Sequence, residues 1–182
     1  MPYGTQDFSE GEMGVHILVG AVFLTMAQPS QTAETAPLSP EALTCPLDRP
    51  YAEINPFARI LRGELPSSRV YEDEEVVVIM PLEWEHPGHA LVIPKVPVRS
   101  LLDMTQTQMG HALDVARRTG VAQQRALGAT GFTITQNNGR NQDVCHVHFH
   151  VVPNTPSVAD KSLSREELDR MAGRLRAVFP EE

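Results

Sequence analysis

Polar and apolar positions become ordered only from Asn55 onward. Pro56 to Arg62 predicts a short helix, stopped by Gly63 ahead of Glu64-Leu65-Pro66. Arg69-Val70-Tyr71, the acidic turn Glu72 to Glu75 and the apolar run Val76 to Met80 predict a β-hairpin. His89 to Pro94 predicts a further strand. Thr105 and Gln108 form a capping box that opens a helix to about Leu127, where Gly128 stops it; Met109, Leu113, Ala116 and Val121 supply its inward stripe. Gly131 to Gln136 reads as a strand broken by Asn137-Asn138-Gly139, and Cys145 to Val152 as the next, ended by Pro153. Ser164 and Glu167 cap a last helix whose inner face carries Leu168, Met171, Ala172, Leu175 and Val178. Consecutive strands with helices laid against them predict an α+β domain. Its sheet is mostly antiparallel, of about five strands, with two main helices and one covered face.

Residues 1–50 read differently, as an N-terminal extension and linker ahead of a domain at 51–182. Gly14 to Ala27 is an apolar run too short to span a bilayer, so no stable membrane insertion is expected. The segment 13–27 has two readings. It resembles the h-region of a signal peptide, with Thr25-Met26-Ala27 as a cleavage site, which would export the protein. Against this, residues 1–12 are acidic and carry no Lys or Arg, which favours an appended tail on a cytoplasmic protein. Gln28 to Pro50, rich in Pro, Ala, Thr and Ser, reads as linker.

The formal net charge of −8 over 182 residues argues against a broad grip on nucleic acid polymers or anionic lipid. A small nucleotide stays possible, because a pocket can be locally rich in N–H donors. Beyond Arg49 and its acidic forerunners the balance is mild, since six of the 23 acids precede the first basic residue. Two cysteines, Cys45 and Cys145, are too few for a disulfide framework and form no Cys-x-x-Cys pair. They read as ordinary thiols, with a single bridge left open.

The chemistry concentrates in His146-Val147-His148-Phe149-His150. Side chains alternate along a strand, so the three histidines share one face, while Cys145, Val147, Phe149 and Val151 share the apolar one. Three readings compete: a solvated strand face, a transition-metal site, and a phosphoryl- or nucleotidyl-transfer site. Two imidazoles at i and i+2 can chelate one ion, but the outer pair lies roughly 13 Å apart along a straight strand. One imidazole can instead attack phosphorus while its neighbours supply hydrogen bonds. Asn137 to Gln142, just upstream, offers amides and turn N–H groups that suit phosphate and ribose oxygens and are poor transition-metal ligands.

The run His146 to Val152 resembles the His-φ-His-φ-His-φ-φ signature of the histidine triad (HIT) family. Four further stretches match in order: Ile60 to Pro66 with Val70 to Glu74, Pro87 to Lys95, Gly131 to Gly139, and Gln142-x-Val144 leading into His146. The resemblance covers about residues 55–153. It implies a hydrolase or transferase acting on the α-phosphate of a small nucleotide, without a cofactor or metal. His148 would be the nucleophile that forms a nucleotidyl-histidine intermediate. His150 would bond the phosphate oxygens and His146 would hold the triad's orientation. Asn137 and Gln142 would contact sugar, phosphate or leaving group. His89 would stand beside the triad as a fourth histidine, against the plainer reading of a satisfied strand-start residue. Phe57, Ile60 and Leu82 would line a base pocket, against plain core packing. The resemblance also implies a homodimer through the long helix and an edge strand.

Two positions depart from the family pattern. Pro81 stands where an Asp usually holds the ribose hydroxyls, and Glu83 is the nearest replacement. Asp143 follows Gln142 where a small hydroxyl residue is usual, which would set a carboxylate beside a phosphate. Trp84, the single tryptophan, reads as rim packing or as a stacking group.

Overall fold

The computed structural model describes residues 45–82, 86–156 and 163–181. Residues 1–44, with the signal-like segment 13–27, lie outside them, as do Glu83 and Trp84. Helix α1 (Pro56–Leu61) begins at Asn55, whose side chain accepts from the Ala58 N–H. The sheet strands are β1 (Ser68–Glu72), β2 (Val76–Met80), β3 (Ala90–Pro94), β4 (Phe132–Gln136) and β5 (Phe149–Pro153). The long helix α2 (Gln106–Leu127) and the final helix α3 (Arg165–Arg176) both open with the expected capping boxes, and Gly128 ends α2 at φ 69°. All pairings are antiparallel, in the order β1-β2-β3-β5-β4.

Central strands β2 and β3 are buried along their whole length, which accounts for their unbroken apolar runs VVVIM and ALVIP. One sheet face, carrying Val76, Val78, Val92, Phe149 and Val151, packs under α2 and α3. The other carries Val77, Ile79, Leu91 and Ile93 against Phe57 of α1. The second face is therefore partly roofed, where the sequence pattern predicts one covered face.

Helix α2 sits on the sheet through small residues. Its buried side chains include Ala112, Val115, Ala116, Thr119 and Ala122. Leu113, expected inside, is instead 46% exposed, because it lies about 100° of helix rotation from that stripe. At Gly120 an added Cβ would meet the Phe132 ring of β4 at 2.4 Å, so glycine sets the approach of helix to sheet. Buried Gln123 ties the layers together, donating to the carbonyls of Gly88 at 2.9 Å and Val151 at 2.8 Å. No helix among the described residues is long and apolar enough to cross a membrane.

Two expectations fail around Cys145. The predicted strand Cys145 to Val152 enters the ladder only at Phe149. Only Ala90 to Val92 of β3 pair with β5; beyond them the Val147 N–H finds the carbonyl of Val98, in a loop. Nor are the cysteines ordinary thiols: Cys45 and Cys145 form a disulfide across 100 residues, with Cα atoms 5.3 Å apart. Released from the ladder, Cys145 is half-buried and can meet the segment that precedes α1.

The tight contact at Gly120 gives a stability test. Gly120→Ala gains helix propensity but drives a methyl into the Phe132 ring. We expect a net loss of about 1–3 kcal/mol, the scale of core overpacking, measured by urea unfolding. A stabilised variant would mean that α2 can lift off β4 at no cost.

Candidate functional site

Strand alternation survives outside the ladder. Val147, Phe149 and Val151 are in the core, and His146, His148 and His150 point to the opposite side. The three imidazoles are unequal. His146 is fully buried, His148 is 4% exposed and His150 is half-buried.

Hydrogen bonds assign the tautomers. The His148 Nδ1 lies 2.7 Å from the backbone carbonyl of His146. A carbonyl only accepts, so Nδ1 carries the proton and Nε2 carries the lone pair. His146 Nε2 lies 2.7 Å from the carbonyl of Pro94 and must donate to it. That leaves His146 Nδ1 as an acceptor, 2.5 Å from the hydroxyl of Tyr51. His89 Nε2 and His150 Nδ1 are 3.0 Å apart, so one donates to the other. Their rings stack at 5.2 Å.

Burial keeps His89, His146 and His148 neutral. It pushes His148 down to about 4, opposed by the Nδ1 bond to His146 and, more weakly, by the Asp143 carboxylate. Burial also pushes His89 down to about 3, helped by the other histidines around it, and lowers His146. A neutral, buried imidazole with a free Nε2 is a nucleophile at ordinary pH.

His148 and His150 open into a cleft of about 580 Å³. Its walls are mainly apolar and include Phe57, Ile60, Ile79, Leu82 and Leu91, with His89 at the histidine end. The Phe57 ring stands edge-on to His148 at 4.9 Å. The structure thus brings six of the nine sequence-derived candidates to one cavity: His148, His150, His89, Phe57, Ile60 and Leu82. His146 stands behind them as a support.

Asn137 and Gln142 are not among the residues that line the cleft. Gln142 is fully buried, and its amide donates to the carbonyls of Arg99 at 2.6 Å and Val144 at 3.0 Å. Its amide group shapes the loop before the triad rather than facing a ligand. Asn137 is half-buried just past the end of β4. Both departures from the family pattern do reach the site, since Pro81 and Asp143 line the cleft.

Tyr51 and Arg165 are residues that the sequence pattern passed over. Arg165, the first residue of α3, lines the cleft from an element far along the chain. Tyr51 precedes its partner by 95 residues, and no local periodicity links them. Among the described residues, no group of three or more His, Cys, Asp or Glu is placed to hold a metal ion. Both nitrogens of His146 are already bonded, and His148 Nδ1 is spent on backbone.

A family model described as the HIT domain matches residues 62–157. An uncharacterised HIT-like protein of Methanocaldococcus jannaschii is 36% identical over 99 residues, 53% of this chain and 76% of that protein. The purine nucleoside phosphoramidase of Escherichia coli K12 is 30% identical over 120 residues, 62% of this chain and 99% of that enzyme. The crystal structure of a Hit-like protein from Bartonella henselae superposes with a TM-score of 0.67 at 34% identity, covering 71% of this chain and 99% of that one. On the ordered motifs, the fold and these matches, the chain belongs to the HIT family.

Proposed function

We propose that this protein hydrolyses small nucleotide phosphoramidates or phosphoesters, or transfers their nucleotidyl group, through a covalent intermediate on His148. The observation that carries the reading is the tautomer of His148: the proton on Nδ1 is held by the His146 carbonyl, and a lone pair is left on Nε2 at the cleft. In the first step Nε2 bonds to the α-phosphorus and the bond from phosphorus to the leaving nitrogen or oxygen breaks. The leaving group takes up a proton, for which the hydrogen-bonded His89–His150 pair is the nearest relay. In the second step water attacks the same phosphorus, its proton passes to the relay, and the nucleoside monophosphate leaves with Nε2 restored. The similarity to a purine nucleoside phosphoramidase supports a purine substrate, with the base among Phe57, Ile60 and Leu82. Asn137 would reach sugar or phosphate only after a shift in the loop that follows β4.

A homodimer belongs to the same reading. Edge strand β4 presents Thr133, Ile134 and Thr135 to solvent, and α2 presents Leu113. The HIT domain is read as 51–182, which contains the matched segment, with 1–50 as an extension. Cytoplasmic location is the favoured reading and export through residues 13–27 its alternative.

Four measurements bear on this mechanism. His148→Ala should lower turnover of a phosphoramidate panel by at least about 10³-fold with circular dichroism unchanged. Quenched wild-type reactions should carry the nucleotidyl mass on His148; near-normal turnover in the variant would sink the proposal. Because His148 sits at about 4, kcat/KM should stay level as pH falls through 6.5 and drop only near pH 4, when protonation removes the Nε2 lone pair. An acid limb centred on the ordinary histidine value would contradict a buried neutral nucleophile. Asp143→Asn removes a negative charge from the cleft wall and should lower KM for an anionic substrate by roughly 3–10-fold at low salt, less at high salt. A raised KM would give Asp143 a binding role instead.

A further inference from the structure

The segment ahead of α1 reaches the triad from behind. Tyr51 closes the one nitrogen of His146 that the Pro94 carbonyl leaves open, and the two rings meet edge-on at 5.5 Å. Burial raises the Tyr51 hydroxyl above its usual value, so it keeps its proton to donate. His146 is therefore held at both ends of its ring, and its own backbone carbonyl is what sets the His148 tautomer. The positions of Tyr51, His146 and His148 form one chain of hydrogen bonds.

What holds Tyr51 in place is the strap of residues 45–51. Cys45 is disulfide-bonded to Cys145, the residue directly before His146. Arg99, 6% exposed, donates to the carbonyls of Pro46 at 2.9 Å and Pro50, and contacts the Cys45 sulfur at 3.4 Å. The carbonyl of Arg99 in turn accepts from Gln142 in the loop before the triad. The strap continues through Asn55 into α1, whose Phe57 flanks both His146 and His148. One covalent bond thus joins the strap to the backbone of the triad at the point where Tyr51 acts.

We propose that Tyr51 is a positioning residue for the His148 chemistry, and that the Cys45–Cys145 disulfide is a redox-sensitive latch that keeps it there. A dithiol would supply the two electrons and two protons: the Cys45–Cys145 bond breaks, two thiols form, and the dithiol closes to its own disulfide. The strap then keeps its Arg99 bonds and its join to α1 but not its covalent tie to the triad, Tyr51 withdraws, and His146 is held only through the Pro94 carbonyl, about which its ring can tilt. The proposal rests on the reading of His148 as nucleophile, so its test has one arm that needs no turnover.

In that arm, ¹⁵N-histidine spectra of the oxidised protein should report a His146 with its proton on Nε2 and a hydrogen-bonded Nδ1. Tyr51→Phe, or dithiothreitol on the wild type, should abolish the Nδ1 hydrogen-bond signature. A signature untouched by both treatments overturns the proposal whether or not the protein turns over nucleotides. In the activity arm, Tyr51→Phe should lower kcat by about 3–10-fold, the worth of one buried hydrogen bond, with KM little changed. Dithiothreitol should produce the same loss in the wild type and none beyond it in Tyr51→Phe. The Cys45→Ala/Cys145→Ala variant should match the reduced wild type and ignore the reductant. Full activity after verified reduction overturns the latch, and losses that multiply overturn its action through Tyr51. Absence of turnover in the oxidised wild type, with the spectral arm intact, counts against His148 as nucleophile and not against the strap.

Discussion

The site depends on a single backbone acceptor, the carbonyl of His146. By taking the Nδ1 proton of His148 it decides which nitrogen of a buried imidazole faces the cleft. No charged partner is needed for this, and none of the other histidines has to donate to His148. The arrangement suits a nucleophile kept neutral by burial: a carbonyl fixes the tautomer without raising basicity as strongly as a carboxylate would. Everything behind His146 then serves to keep that carbonyl still. The Pro94 carbonyl holds one side of its ring and Tyr51 the other, while its N–H reaches the carbonyl of Val144.

Around this point, side-chain amides and guanidinium groups are satisfied mostly by backbone carbonyls. Gln123 bridges Gly88, next to His89, and Val151, next to His150. Gln142 and Arg99 tie the loop before the triad to the strap before α1. Such bonds cost little if the carbonyls are already placed by the sheet, although Arg99 Nε and Gln123 Oε1 stay buried without a partner. The cleft itself is different in character. Its walls are apolar except at the histidine end, at Ser67, at Asp143 and at Arg165, so a bound group would be oriented by polar groups set around an apolar middle.

Helix limits, caps and the sheet's antiparallel class were legible because they rest on local rules. Capping boxes at Thr105 and Ser164, the stop at Gly128 and the alternation from Val147 to Val151 each need only a few neighbouring residues. The roles of Gln142 and Leu113 were not legible in this way. A glutamine before the triad looks equally suited to a phosphate or to two backbone carbonyls, and only the closeness of Arg99 and Val144 decides between them. Leu113 fits a helical stripe, yet the sheet takes the neighbouring stripe of small residues because that lets α2 approach more closely.

By itself, then, the sequence determined that three histidines share one face of a short extended segment and that apolar residues occupy the other, since a period of two is built into extended backbone. It also placed the triad in a HIT domain, through motifs whose order survives in the chain. Only the tertiary structure decided which groups hold the His146 ring, that His89 pairs with His150, and that Tyr51, Cys45 and Arg165 belong to the site at all. Those residues come together across up to 100 positions of chain, and packing of the sheet against three helices, rather than any local pattern, sets their distances.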